Sequence, residues 1–237
     1  MPLLSLQYEN RLLSKLSEED ISLLGPIRRV ELAPHNLLER AHRPLDYVYF
    51  IERGFASVLS EAAADSSIEV GLIGPEGMTG LAVVHGVETT PFSTFVQSGG
   101  AAFRVEAERL RAAQAQSPHL QGLLMRYARA FAIQVSSTAS ANGTLLLEQR
   151  LARWLLMVAD RAGDSFQVTH EFLAAMLSVR RPGVTRALQD LESRGLIRAM
   201  RGMVAIADRQ GLVAYTKGAY GLAEEEYRAL INDYPQR

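Results

Sequence analysis

The spacing of hydrophobic positions divides the chain into two regions that meet near Glu106. Before that residue, short segments rich in β-branched and aromatic residues alternate with turn residues. In one segment Ile68, Val70 and Leu72 occupy every second position, which is typical of a half-buried strand. The pattern predicts a compact antiparallel β-roll. The predicted strand segments are Tyr47–Gly54, Phe55–Glu61, Ile68–Gly74, Ser93–Gly100 and Ala101–Val105.

A long helix is predicted after the strands, from Pro118 to Asn142. It has a start signal, a capping Ser117 before a proline, and a stop signal, Asn142 before Gly143. The apolar stripe between them either packs on the roll or forms a coiled-coil seam with a second subunit. The helix has room for both contacts, and we assign this stripe to a dimer interface. Its residues are Leu120, Leu124, Tyr127, Phe131 and Val135.

Two short helical patterns joined by a tight turn follow in the C-terminal third. Thr169 is a good N-cap for the first, which runs to Leu177. Pro182 fits only the first turn of a helix, where its missing N–H is not needed, so the second helix begins near Arg180. It ends at Gly195. This is the arrangement of a helix-turn-helix motif.

The second of these helices begins with arginines that have no acidic residue in the same turn. Arginine at a helix N-terminus opposes the helix dipole, at a cost of roughly a few tenths of a kcal/mol. A solvated surface helix is one explanation. A helix that enters the major groove is another, because arginine binds phosphate or guanine there. Residues 180–201 contain six arginines and two acidic residues, which gives a local net charge of +4. They are Arg180, Arg181, Arg186, Arg194, Arg198 and Arg201, with Asp190 and Glu192.

Composition narrows the chemistry. The chain has 237 residues, 48% of them hydrophobic, and a net charge of −1, so any basic surface must be local. Cysteine is absent, which excludes disulfides, thiolate zinc sites and cysteine nucleophiles. No leader peptide and no membrane-spanning run is recognised, which predicts a cytoplasmic protein without membrane contact.

Taken in order, four stretches resemble transcription regulators of the Crp–Fnr family: VYFIERG, IEVGLIGPEGMTG, the segment from 129 to 161 and the segment from 170 to 197. The resemblance implies an α+β fold with a cyclic-nucleotide-binding-type β-roll (1–116), a dimerisation helix (117–143) and a winged helix-turn-helix DNA-binding domain with a helical tail (144–237). It implies a homodimer that binds a near-palindromic operator in double-stranded DNA and contacts RNA polymerase.

The resemblance also assigns roles within the helix-turn-helix. Arg181 and Arg186 match the two base-reading arginines of the family, and Thr169 matches a phosphate-contacting cap. Pro182 stands where the family's cyclic-AMP receptor has a base-reading glutamate, so the preferred DNA sequence should differ. The expected DNA-binding residues are Thr169, Arg180, Arg181, Pro182, Thr185 and Arg186.

The cyclic-nucleotide site of the family is only partly matched. Glu76 matches the residue that binds the ribose, but Phe92 stands where a phosphate-binding arginine is expected. A buried phosphate without its cation binds poorly, so cyclic AMP is not expected to be a tight ligand. The candidate effector-binding residues are Gly74, Glu76, Gly77, Phe92, Ser93 and Thr94.

No cofactor, metal or enzymatic activity is predicted. The histidines lack the i, i+4 spacing of a metal site, and no nucleophile–base or phosphate-loop motif occurs. Haem-sensing relatives use a histidine and the N-terminal proline, so His85 and Pro2 are candidate haem ligands, the alternative being an ordinary loop histidine. The alternative function is a small-molecule sensor that acts through protein contacts without binding DNA.

Overall fold

The computed structural model describes residues 8–62 and 66–234. The strands are β1 (Arg28–Leu32), β2 (Leu37–Glu39), β3 (Tyr47–Ala62), β4 (Ser66–Ile73), β5 (Phe92–Glu106), β6 (Ser165–Gln167), β7 (Ile197–Met200) and β8 (Met203–Ile206). The α-helices are α1 (Glu18–Leu23), α2 (Leu81–Val84), α3 (Ala107–Gln116), α4 (Pro118–Thr144), α5 (Leu147–Ala162), α6 (His170–Met176), α7 (Arg181–Ser193), α8 (Arg209–Tyr215) and α9 (Leu222–Tyr227). The predicted α+β fold, with the strands of the roll before the long helix α4 and a helix-turn-helix after it, is confirmed.

The first sheet has the strand order β1-β5-β3-β4, and β2 also pairs with β5. Strand β1 is antiparallel to β5, with Arg28 opposite Arg104 and Leu32 opposite Gly100. Strand β2 pairs with the beginning of β5, also antiparallel. The long β5 therefore holds both short N-terminal strands, as a roll requires.

Two pairs of predicted segments form single long strands, because glycines expected to be turns lie inside β3 and β5. A Cβ on Gly100 would collide with the carbonyl oxygen of Arg53, and a Cβ on Gly54 would collide with that of Ser98. Gly54 also has a positive φ of 78°. These glycines allow two strands to approach closely, which explains their position in strand interiors.

A hydrophobic core lies between the roll and the helices that follow it. Phe50, Met78, Leu110 and Leu123 are fully buried in it. Helix α1 closes the N-terminal side, and its capping box at Ser17 satisfies its first backbone N–H groups. The apolar faces of α3 and α4 are thereby used within this core.

The described part of the chain forms two compact units, and the domain boundaries at 116 and 143 stay a prediction. The described residues of 1–57, 73–130 and 227–237 form the first, and those of 58–72 and 131–226 form the second. The C-terminal tail, expected to belong to the DNA-binding domain, packs in the first unit because Ile231 is fully buried in its core.

The second unit is built around α5, whose Leu151, Leu155 and Leu156 are fully buried. Helix α5 packs against α7 and α8, and α6 packs against α7. The strands β6, β8 and β7 form a small antiparallel sheet in that order. A three-helix core with a β-hairpin after its last helix is a winged helix-turn-helix, as expected.

Candidate nucleic-acid interface

The helix-turn-helix has the capping and the break that its sequence predicts. The Oγ1 of Thr169 accepts a hydrogen bond of 3.2 Å from the backbone N–H of Phe172, which caps α6. The turn contains Ser178 with a φ of 52°, a left-handed conformation that ends α6. Helix α7 begins at Arg181 with Pro182 in its first turn.

The inner face of α7 is apolar and its N-terminal end is basic. Val184, Leu188 and Leu191 are buried, which fixes the rotation of α7 about its axis. Arg180, Arg181, Pro182 and Arg186 are exposed. Among the described residues, neither Arg180 nor Arg186 has a hydrogen-bonding or ion-pairing side chain as a partner.

Arg181 has an acidic partner on the preceding helix rather than in its own turn. Its Nε lies 2.8 Å from Oε1 of Glu171, and both side chains are 64% exposed. Glu171 is in the first turn of α6, so the ion pair joins two helices and is not apparent from the sequence of α7 alone.

Thr185 is half-buried and engaged inside the motif. Its hydroxyl lies 3.0 Å from Nδ1 of His170 and 3.3 Å from the carbonyl oxygen of Arg181. The contact joins the start of α6 to the first turns of α7. Thr185 therefore positions α7. Because it is half-buried, it has less exposed surface for contact with DNA than Arg180, Arg181 or Arg186.

The remaining charges around α7 are distributed unequally. Arg194 donates two hydrogen bonds to Asp190, of 2.8 and 3.1 Å, and lies over the ring of Tyr215. The hydrogen bonds from Arg194 and Tyr215 lower the pKa of Asp190. Arg198 and Arg201 are exposed on the hairpin of β7 and β8. The unneutralised cations thus lie at the N-terminal end of α7 and on the hairpin.

Residues 149–215 match the family model of the Crp-like helix-turn-helix domain. This segment is a Crp-like helix-turn-helix domain. Its described secondary structure covers α5 to α8 and the hairpin of β7 and β8.

Solved structures show that the fold extends over most of the chain. A protein of the Crp/Fnr family from Eubacterium rectale is 16% identical and aligns over 87% of this chain and 98% of its own, with a TM-score of 0.68. A CRP-family transcriptional regulator from Thermus thermophilus is 20% identical over 82% and 98%, with a TM-score of 0.65. FixK2 from Bradyrhizobium japonicum is 14% identical over 80% and 97%, with a TM-score of 0.68. No curated protein sequence matches the chain. The chain has the fold of the Crp–Fnr regulators, with its Crp-like domain at the C-terminal end.

The first candidate effector segment is a tight turn filled by the chain's own side chains. The N–H of Gly74 donates to Oε1 of Glu76 at 3.1 Å. A Cβ on Gly77 would collide with the ring of Tyr127, whose hydroxyl donates to the carbonyl oxygen of Met78 at 3.2 Å. An aromatic ring of α4 therefore lies directly over this turn.

The second candidate segment surrounds a buried carboxyl group. Thr94 is fully buried and its hydroxyl donates to Glu39, which also accepts from the N–H of Gly80 at 2.6 Å. Burial raises the pKa of Glu39, and its two hydrogen bonds only partly offset this. The Oγ of Ser93 accepts from the N–H of Ala41 at 3.2 Å, while Phe92 is 38% exposed. Both hydroxyls are thus engaged within the chain.

The stripe on α4 expected at a dimer interface is divided. Leu120, Leu124 and Tyr127 are at most 2% exposed and pack in the core of the first unit, so these side chains are not available to a second subunit. Phe131 and Val135 are half-buried. The expected dimer contact differs from the structure because helical spacing identifies an apolar face but not what that face contacts. The exposed residues of α4 lie on another stripe that includes Gln121, Met125, Ala132, Ser136 and Ala139.

The geometry around the candidate haem ligands and possible metal ligands adds no support for such a site. His85 is exposed after α2, and Pro2 lies outside the described residues. Within 8–62 and 66–234, no three His, Asp or Glu side chains are grouped so as to hold a metal ion. In the same part of the chain, no helix is both long and apolar enough to cross a membrane.

Proposed function

We propose that the chain is a sequence-specific DNA-binding transcription regulator that acts as a homodimer, with the β-roll modulating its DNA affinity through an effector. The observation that carries the proposal is the N-terminal end of α7, where exposed arginines stand on a Crp-like helix-turn-helix domain. The operator lies on the chromosome, so the regulator works in the cytoplasm.

The chemistry of DNA recognition fits the exposed cations. We expect Arg181 and Arg186 to donate to guanine O6 and N7 in the major groove. We expect Arg180, the cap of Thr169 and the hairpin arginines to bind phosphate, which would position the domain on the duplex. Pro182 cannot hydrogen-bond a base and packs against the groove wall instead.

The dimer is supported by the later part of the exposed stripe of α4, which includes Ala132, Ser136 and Ala139. Two copies related by a two-fold axis present their α7 helices about one DNA turn apart, roughly 34 Å, on a near-palindromic operator. We also propose contact with RNA polymerase, because the resemblance to Crp–Fnr regulators implies it. Leu120, Leu124 and Tyr127 act indirectly, by packing α4 into the core of the first unit.

The proposal is tested by a gel-shift experiment with genomic fragments, combined with native mass spectrometry of the purified protein. The proposal predicts a dimer mass and the retention of specific fragments at moderate salt. A variant, Arg186→Glu, should lose those fragments because a carboxylate cannot donate to guanine and its charge is repelled by DNA. A sensor that acts only through protein contacts shows no retained fragment with either protein, and that result contradicts the proposal.

A further inference from the structure

The first unit contains an open cleft of about 540 Å³ beside the long helix. The end of α2, the outer face of α3 and the first turns of α4 line it. Its volume is within the range of ligand pockets for small molecules. The cleft shares no lining residue with the two segments expected to bind an effector, so it is a different place on the molecule.

The walls of the cleft combine apolar residues with one arginine and one histidine. Val83, Val84 and Met125 are the apolar residues that the proposal uses, and Met125 is 46% exposed. Arg111 and the exposed His85 belong to the same lining. Within the described residues no carboxylate forms an ion pair with Arg111, and its Nε is buried without a hydrogen-bond partner.

A second polar group in the lining also lacks a partner. Gln114 is only 8% exposed, and its Oε1 accepts no hydrogen bond in the described part of the chain. Its Nε2 donates to the carbonyl oxygen of Val84 at 3.3 Å, which sets the orientation of the amide. Oε1 is therefore the acceptor that remains for a ligand.

Unpaired buried polar groups destabilise a fold, so a native chain seldom keeps two of them side by side without a use. Arg111 and Gln114 lie one helical turn apart on α3, so they face the same side. A complementary ligand would have an acceptor for Arg111, preferably an anionic group, and a hydrogen-bond donor for Gln114. It would also have a hydrophobic body that contacts the apolar walls.

We propose that this cleft binds a small organic anion with an apolar, preferably aromatic, body and an N–H or O–H donor. The anionic group pairs with the guanidinium of Arg111, the donor reaches Oε1 of Gln114, and the body lies against Val83, Val84 and Met125. The proposal is independent of DNA binding, because the ligand contacts only the first unit.

Anilinonaphthalene sulfonate is a suitable probe, because it has a sulfonate, an N–H donor and an aromatic body, and its fluorescence rises in apolar surroundings. The matched neutral probe is N-phenylnaphthylamine, which keeps the body and the N–H but lacks the sulfonate. Both are titrated into the full-length protein and into two variants, Arg111→Met and Arg109→Met. Arg109 is on the same helix and pairs with Glu106 outside the cleft, so its variant controls for the loss of a positive charge. Circular dichroism melting confirms that the variants are folded.

The proposal predicts one saturable sulfonate site per chain. Arg111→Met should weaken the sulfonate probe about tenfold or more and leave the neutral probe nearly unchanged, because only the former loses a charge-assisted pair. Arg109→Met should change neither. Equal binding of the sulfonate probe to the wild-type protein and to the Arg111 variant overturns the proposal. So does the absence of saturable binding, which is expected if a second subunit fills the cleft over Met125.

Discussion

Nε of Arg181 lies 2.8 Å from Oε1 of Glu171, so the first arginine of α7 is held by the first turn of α6. The carboxylate lies at the Nε–H edge of the guanidinium, which is one of its five N–H donors. In the proposed function, a phosphate or a guanine competes with Glu171 for this edge of Arg181. Because both side chains are 64% exposed, the ion pair is weak and the exchange costs little.

We expect Glu171→Gln to tighten DNA binding by up to about fivefold, since an exposed ion pair contributes roughly 0–1 kcal/mol and the variant removes this competitor. Fluorescence anisotropy with a labelled operator measures the change. Glu225→Gln on α9 is the matched control, because it removes the same charge from an exposed residue outside α6 and α7. The competition is refuted if the Glu171 variant binds no more tightly than the Glu225 variant.

Cyclic AMP should not bind tightly to the roll. Thr94 donates to the buried Glu39, Ser93 already accepts from the backbone, and Phe92 provides no cation for a phosphate. A buried phosphate without a cationic partner is unfavourable. Isothermal titration calorimetry on the full chain checks this, and a submicromolar dissociation constant would show that the phosphate finds a partner elsewhere.

The stability of the first unit should decrease in acid because of Asp20. Its carboxylate accepts hydrogen bonds from the hydroxyl of Ser117 and from the N–H of Ser17, and lies 2.7 Å from Nδ1 of His119. Burial alone would raise the pKa of Asp20, but these hydrogen bonds outweigh it, and the net pKa is lowered. A lowered pKa stabilises the folded state above the ordinary pKa of aspartate, and this stabilisation is lost as the pH falls through the folded value.

Asp20→Asn tests this assignment. We expect a loss of about 1.5–3 kcal/mol in the free energy of unfolding near neutral pH, since hydrogen bonds to a charged group are removed. Urea unfolding between about pH 7 and pH 3 should then show a shallower acid loss in the variant than in the wild-type chain. Parallel acid profiles for the two proteins would exclude Asp20 as the cause.

The C-terminal tail should stabilise the roll. Ile231 is fully buried in its core, the hydroxyl of Tyr227 donates to the carbonyl oxygen of Glu76 at 2.7 Å, and that of Tyr234 donates to the carbonyl oxygen of His119 at 3.0 Å. We expect Ile231→Ala to cost about 2–5 kcal/mol of unfolding free energy. Leu222→Ala is the control, because Leu222 is 58% exposed and its loss should stay within about 0.5 kcal/mol. Similar urea midpoints for both variants would contradict this role of the tail.

The sequence predicts those features that depend on neighbouring residues. The cap of Thr169, the start of α7 near Pro182 and the beginning of α4 at Pro118 all follow from local backbone requirements, and the structure confirms them. The position of the arginines at the start of α7 follows from the same local requirements. Their exposure follows from the apolar register of Val184 and the leucines after it.

Features that depend on distant contacts could not be predicted. The sequence predicts that Gly54 and Gly100 end strands, because their role in a close approach is visible only once β3 and β5 are adjacent. Glu171 lies ten positions before Arg181, and their contact depends on how α6 crosses α7. Tyr227, Leu230, Ile231 and Tyr234 have the spacing of one helical face, but spacing alone does not identify the distant core that such a face contacts.

The most direct test compares the affinity for a selected operator with that for a scrambled duplex of equal length, at the same salt concentration, for the wild-type protein, Arg181→Ala, Arg186→Ala and the control Arg109→Ala. The account predicts that each α7 variant loses about tenfold to a hundredfold on the operator, since a base-reading arginine contributes roughly 1–3 kcal/mol, while affinity for the scrambled duplex changes little. The control should discriminate as the wild-type protein does. If Arg181→Ala and Arg186→Ala still prefer the operator by the wild-type ratio, α7 is not the element that recognises the DNA sequence.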